Sequence, residues 1–177
     1  MVILKKLSLD MKVLLSIIVI LFIGSWTYMY LSKPYYVDTV YGGIRYQASN
    51  MDFQENIDIE IKGEYIQGLF GQPDKFSGKI LIRDKELDYS DPPIPFQLNN
   101  MAVLPFGQIN NGISGVIYID ENLNKVTIEI AELNEQGNSS FHYDNGWLIS
   151  APSDTREEAV RVSNELIQKM YQDLVVR

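Results

Sequence analysis

Twenty consecutive residues without a charge, VLLSIIVILFIGSWTYMYLS at 13–32, lie between Lys12 and Lys33. As a helix rising about 1.5 Å per residue, the stretch reaches roughly 30 Å, the thickness of a bilayer's hydrocarbon core. Leu, Ile and Val fill its first half; Trp26, Tyr28 and Tyr30 crowd the second, and Tyr35 and Tyr36 follow. Aromatic side chains with a polar edge settle at the head-group level, so the aromatic end marks one interface. A buried core helix is rarely so long or so evenly apolar. A secretory signal peptide shares the basic start and the apolar middle, but cleavage needs small residues at −1 and −3. Cutting after Gly24 puts Phe22 at −3, and cutting after Ser25 puts Ile23 there. The segment therefore predicts a retained transmembrane helix at 13–32. A cytoplasmic tail at 1–12 precedes it; a linker at 33–36 and an extracytoplasmic domain at 37–177 follow.

Orientation comes from Lys5, Lys6 and Lys12, which cluster before the span and favour a cytoplasmic N-terminus in the cell membrane. A tail of about a dozen residues is too short for a signalling domain, so any signal crossing the membrane needs another protein. Beyond the span the chain carries 12 basic and 22 acidic side chains, a net charge of −10. Such a surface repels nucleic acid and anionic lipid, and mainly keeps the domain soluble. The chain has no Cys. An exported domain of this kind folds without disulfides and without a lipoprotein anchor, which suits the exported proteins of Gram-positive bacteria.

The outer region reads as β-rich. Pro34 disfavours continuing the helix, and Gly42-Gly43 predicts a turn between strands at 37–41 and 44–46. Ile57-Asp58-Ile59-Glu60-Ile61-Lys62 alternates strictly, placing the isoleucines on one buried face. Further strands are predicted at 76–82 and 85–89 about an Arg83-Asp84 turn, and at 95–98 and 101–106. A hairpin follows at 115–119 and 126–130, and another at 140–143 and 147–150 turning on Asn145-Gly146. The period then changes: Val162, Leu166, Met170 and Leu174 fall on one helical face, with Thr155 and Glu158 at capping-box spacing, which predicts a helix at 154–175 covering the sheet. The fold class is α+β. The N-terminal span leads into a mostly antiparallel meander, which short strands allow to curl toward a barrel, with a C-terminal helix packed on it.

No catalytic, cofactor-binding or metal-binding residue emerges. His142 is the only histidine, so His-rich zinc sites and Cys–His nucleophiles cannot be built, and a G-x-S-x-G context is missing. Asp120-Glu121-Asn122-Leu123-Asn124 opens like a calcium loop, but Lys125 stands where Gly is needed and Ala131 where Glu is needed; a hairpin turn fits better. Asp84, Glu86 and Asp88 alternate onto one strand face before Asp91 and Pro92-Pro93, as on a solvated edge strand. Asn138-Ser139-Ser140 matches a glycosylation acceptor, which marks an exposed loop at most.

The most distinctive residues are Gly63-Glu64-Tyr65-Ile66-Gln67-Gly68-Leu69-Phe70-Gly71 and Phe76-Ser77-Gly78-Lys79-Ile80-Leu81-Ile82. Their glycines permit a sharp bend between strands, with Leu69, Phe70 and Phe76 plugging the core; an exposed Leu69-Phe70 loop would instead be a candidate binding tip. The spacing G-x-Y-x-x-x-L-F-G, then F-x-G-x-I-x-I, resembles uncharacterised single-pass membrane-anchored proteins of Gram-positive bacteria. It covers about a fifth of the chain and implies a source without an activity. The expected function is a membrane-tethered, non-enzymatic binding or accessory module that engages an envelope protein or a cell-wall component. A carboxylate-dependent hydrolase of envelope glycans and a calycin-like barrel holding a small apolar ligand are the alternatives.

Overall fold

The structure is a computed structural model and describes residues 9–83, 85–97, 100–104, 114–133, 139–141 and 146–176. Helix α1 (Leu9–Leu31) leads in, and its Met11–Leu31 stretch is long and apolar enough to cross a membrane, with none of it buried against the rest of the chain. Among the described residues ten strands follow: β1 (Tyr35–Gln47), β2 (Asn50–Ile66), β3 (Asp74–Ile82), β4 (Lys85–Asp88), β5 (Ile94–Phe96), β6 (Met101–Leu104), β7 (Ser114–Ile119), β8 (Val126–Leu133), β9 (Ser139–Ser140) and β10 (Trp147–Ala151). Helix α2 (Arg156–Ile167) closes the order. Strand β1 already pairs Tyr35 with Tyr65, so the connection from α1 is shorter than a linker at 33–36.

The sheet is antiparallel and open, in the order β4-β3-β2-β1-β10-β8-β7-β6, with β5 added to β3 and β9 to β8. A lone bridge between Gln97 and Met101 ties β5 to β6, and the sheet curls around one core. Alternation fixes its inner face: Ile57, Ile59 and Ile61 of β2 are buried while Asp58 and Lys62 are exposed. They meet Ile80, Leu87, Phe96, Leu104, Ile117 and Ile128 from strands all along the sheet. Burying a large apolar side chain contributes about 1.5–3 kcal/mol, so this inner cluster dominates the stability of the domain.

The predicted turn at Gly42-Gly43 does not exist. The chain runs straight through as one strand, and the hairpin reverses at Ala48-Ser49 instead. Gly43 has another reason to be glycine: a Cβ there would stand 2.7 Å from the Ala151 Cβ and 2.7 Å from the Ser150 carbonyl oxygen. Its bareness lets β10 lie close against β1, and the Ser153 N–H donates to the Gly42 carbonyl at 3.1 Å. The predicted hairpin of 140–143 with 147–150 also fails. Strand β10 has two edges, and β1 occupies one while β8 occupies the other. Ser140 pairs with Glu132 of β8 instead, and His142 and Asn145 lie outside the described residues.

Helix α2 is shorter than the predicted 154–175. Thr155 caps it, its hydroxyl accepting from the Glu158 N–H at 3.3 Å, while the Glu158 carboxylate accepts from the Asp154 N–H at 3.0 Å. The face Ala159, Val162, Leu166 and Ile167 packs on Ile44, Tyr46, Tyr118 and Leu148 across the outer side of the sheet. The helix stops after Ile167 because the tail folds back. Asn164 donates to the Val176 carbonyl at 2.9 Å and accepts from its N–H at 2.7 Å, and Val176 is buried. Met170 and Leu174 still pack against the same cluster, from the returning tail and not from a helix. Between α2 and the sheet runs a buried hydroxyl chain: Tyr46 to Ser163 at 2.6 Å, Ser163 to Ser150 at 2.6 Å, and Ser150 to Thr127 at 2.9 Å.

Candidate ligand site at the helix end of the sheet

Three connections gather where α1 enters the domain: the β2–β3 loop at 67–73, the β5–β6 segment around Gln97 and Asn100, and the β7–β8 turn at 120–125. Beside them β1 begins with Tyr35. They surround a concavity of about 530 Å³ lined by Tyr35, Tyr65, Gln67, Asp74, Asn100, Glu121 and Asn122. Two adjoining hollows of about 420 and 490 Å³ share Asp74 and Asn100 on one side, and Tyr35 and Asn122 on the other. The three hollows thus share lining residues and open at one end of the curled sheet as a broad mouth, predominantly polar in its first concavity.

Its floor is aromatic. Tyr35 lies 5.3 Å, ring centre to ring centre, from Tyr65, and Tyr65 lies 5.9 Å from Phe96. Strand pairing dictates the first contact, since Tyr35 and Tyr65 stand opposite each other, and adjacent aromatic pairs of this kind are favourable. The Tyr65 hydroxyl donates to Asp74 Oδ2 at 2.5 Å, and the Gly68 N–H donates to Asp74 Oδ1 at 2.7 Å. Burial, then the hydrogen bond to Asp74 and its negative charge, push the Tyr65 phenol well above its usual range and keep it a donor. Tyr35 is shifted upward too, by burial first and then by the charges of Asp74 and Asp120. One wall is therefore rigid and prearranged. Opposite stand Glu121 and Asn122, both exposed.

The turn at 120–125 is a hairpin turn. Asp120 Oδ1 accepts from the Asn124 N–H at 2.5 Å and the Lys125 N–H at 3.0 Å, and Leu123 takes positive φ at 55°. The Tyr41 hydroxyl donates to the Leu123 carbonyl and fixes the turn against β1. The carboxylate that calcium would need is spent on backbone. Among the described residues, no three His, Asp or Glu side chains gather as a metal group.

The β2–β3 loop overturns part of the core-plug expectation. Phe76 is buried, but Phe70 is 90% exposed and Leu69 half-buried. The Gln72 N–H donates to the Leu69 carbonyl at 3.1 Å, with positive φ at both central residues, 55° at Phe70 and 82° at Gly71. That is the mirror-image turn normally served by Asn, Asp or Gly. The Phe70 ring lies 6.2 Å from the ring of Tyr28 in α1, nearly parallel to it at 8°.

Of the other sequence candidates, Glu86 and Asp88 sit on the edge strand β4, where Lys79 pairs with them at 2.7 and 3.9 Å. They form a solvated face away from the mouth, and Asp91 is exposed beyond them. Asp84, Asn138 and His142 lie outside the described residues. Near the opposite end, Glu55 bridges Arg45 at 3.4 Å and Arg83 at 2.5 Å, and Arg45 lies over the Trp147 ring at 4.3 Å. Those contacts pin β1, β2 and β10 together. Of the residues that line the mouth, the sequence singled out Tyr35 as an aromatic beside the span, Tyr65 and Gln67 within the distinctive motif, and Glu121 and Asn122 within a turn, but none as part of a common site. Beyond the two tyrosines, the signal was that Asn, Asp, Gln and Gly recur at three connections, and the topology was needed to bring these to one end. Comparison with protein-family models, with curated proteins and with solved structures gave no match.

Proposed function

We propose that this chain is a single-pass membrane-tethered binding module, its N-terminus cytoplasmic and its β domain outside, which takes its ligand at the bilayer-facing mouth. The observation that carries the reading is the placement of Tyr35. It begins β1 four residues after α1 ends and also forms part of the mouth's floor, so the tether and the site are contiguous. The lysines before the span support the orientation, and the lack of a suitable cleavage motif supports retention.

The lining suits a hydroxyl-rich ligand such as a cell-wall glycan. Tyr35 offers an aromatic face for the C–H side of a sugar, Gln67, Asn100 and Asn122 can donate and accept, and Glu121 accepts. No Lys or Arg lines the concavity among the described residues, which weighs against a phosphate or another anion. A hydrolase draws support from Asp74 and Glu121 lining one concavity. Against it, Asp74 already accepts from Tyr65 and Gly68, and Glu121 is exposed, whereas glycoside hydrolysis needs a carboxyl poised to give up a proton. The calycin-like reading is disfavoured because Ile59, Leu87, Ala102 and Ile128 fill the inside of the sheet. The resemblance to anchored proteins of Gram-positive bacteria is compatible with a wall partner.

Calorimetric titration of the full chain in nanodiscs with soluble wall-glycan fragments tests the reading. Tyr35→Ala is expected to weaken binding roughly thirtyfold, as losing an aromatic anchor worth about 2 kcal/mol would. Glu86→Ala on the edge strand should leave binding unchanged. Fragments that fail to bind, or bind equally to the Tyr35 variant, contradict the assignment; fragments cleaved by the wild-type chain favour the hydrolase.

A further inference from the structure

We infer that the Leu69-Phe70 loop is a second membrane contact, a wedge that inserts Phe70 into the head-group region of the same leaflet that receives the aromatic end of α1. The inference rests on the reading of α1 as a span and goes beyond it, because a tether alone leaves the domain free to tumble above the bilayer.

Three observations converge on the loop. The first is exposure: Phe70 stands 90% in solvent, an apolar ring with little protein to cover it. The second is backbone. Phe70 holds a left-handed conformation that disfavours a side chain with a Cβ, at a turn position where Asn or Gly would be relaxed. A residue kept there against its preference points to a use for the ring. The third is position. The ring stacks on Tyr28, which lies within the last turn of α1, so the loop reaches back alongside the span. Aromatics of that turn sit at the interface, and a ring stacked on one of them sits at the same depth.

The chemistry of the loop agrees. From Tyr65 to Pro73 the chain carries no charge, within an outer domain of net charge −10. A strongly acidic domain is repelled by anionic lipid, so an attractive contact must be apolar and local, and added salt, which screens the repulsion, does not weaken it. The loop is short and stiff: a Cβ at Gly68 would stand 2.0 Å from the Gln72 carbonyl oxygen, and Asp74 holds the Gly68 N–H. Insertion of Phe70 would therefore fix the tilt of the domain and set Gln67 and Asp74, on either side of the loop, at the head-group plane. The mouth would then face the membrane surface and any ligand anchored in it.

Because the chain lacks Cys, single-cysteine probes are clean. The full chain is reconstituted in phosphatidylcholine–phosphatidylglycerol vesicles with an environment-sensitive dye at Gln72→Cys, leaving Phe70 in place. Lipids bearing a nitroxide just below the head group serve as quenchers. The dye at position 72 is expected to be blue-shifted and quenched several-fold more than one at Met51→Cys, in β2 beside the hairpin turn at the far end of the sheet. Adding Phe70→Asn, which suits the left-handed backbone and so preserves the turn, is expected to return the dye to water-like emission. Adding salt, which screens the domain's repulsion from the anionic lipid, is expected to leave the quenching at 72 as strong or stronger, and quenching lost in salt overturns the apolar wedge. Equal, water-like signals at 72 and 51, with a dye at Trp26→Cys still quenched, overturn the wedge and leave the span intact. A Trp26→Cys dye in water overturns both. Quenching at 72 that survives Phe70→Asn also overturns the inference, since the dye and not the ring would be seeking the lipid.

Discussion

Single side chains divide this domain into parts held by burial and parts held by hydrogen bonds. Leu166 is almost fully buried between α2 and the outer face of the sheet. Leu166→Ala is expected to cost about 2–5 kcal/mol through lost burial and a residual cavity, and Leu166→Asp more, since a carboxylate would enter the same space unpaired. A urea melt of the full chain in detergent reads both; an unmoved midpoint would show that α2 is not bound to the sheet. The buried tyrosines carry a pH dependence. Burial pushes Tyr46 and Tyr89 up to about 12 from the ordinary 10.0. The folded phenols hold their protons more tightly than unfolded ones, so the stability they confer is complete below pH about 10 and disappears as pH climbs toward 12. Alkaline melts followed by circular dichroism should fall steeply across that window. Tyr89 differs from Tyr46 in that its buried hydroxyl meets no hydrogen-bond partner among the described residues. Tyr89→Phe is therefore expected to be neutral or stabilising by up to about 1 kcal/mol near neutral pH, and to shrink the alkaline loss. A loss of more than that at neutral pH would reveal a partner for the hydroxyl.

At the scale of elements, what was legible and what was not have separate physical causes. The isoleucine alternation of β2, the β7–β8 hairpin and the apolar stripe of α2 depend on local periodicity, and each appears where its pattern stands. Gly42-Gly43 was misread because a glycine pair serves two ends, positive φ in a turn or close approach of another backbone, and only the partner strand distinguishes them. Gly43→Ala discriminates directly: its Cβ would meet Ala151 and Ser150, so the β1–β10 seam must part, at about 1–3 kcal/mol. Thermal melts of Gly43→Ala and Gly42→Ala should separate, because a Cβ at Gly42 meets nothing within 4 Å. Equal effects would return Gly43 to an ordinary position. The end of α2 was illegible for a different reason: the apolar period continues through Met170 and Leu174, but Asn164 clamps Val176 and turns the tail back, a long-range event that no local pattern encodes.

The molecule as a whole joins an apolar helix to a concave end of its sheet. The apolar helix was plain from composition and length, and the α+β class from the change of period. The mouth was not, because Tyr35, Asp74, Asn100 and Glu121 come from four separate stretches of chain and meet only through the topology. The Leu69-Phe70 loop stood out in the sequence, while its exposure and its stack on Tyr28 required coordinates. The central claim is that α1 is a retained span with the sheet outside it and the mouth next to the bilayer. Labelling of single cysteines by a membrane-impermeant maleimide in intact cells tests it most directly, using Lys5→Cys before the span, Asn122→Cys in the mouth and Met51→Cys at the far end. The account predicts that Asn122→Cys and Met51→Cys are labelled on the membrane-bound chain, and that Lys5→Cys is labelled only after permeabilisation. Labelling of Lys5→Cys in intact cells with the other two protected, or recovery of the labelled domain from the medium without the residues before Gly24, would contradict it.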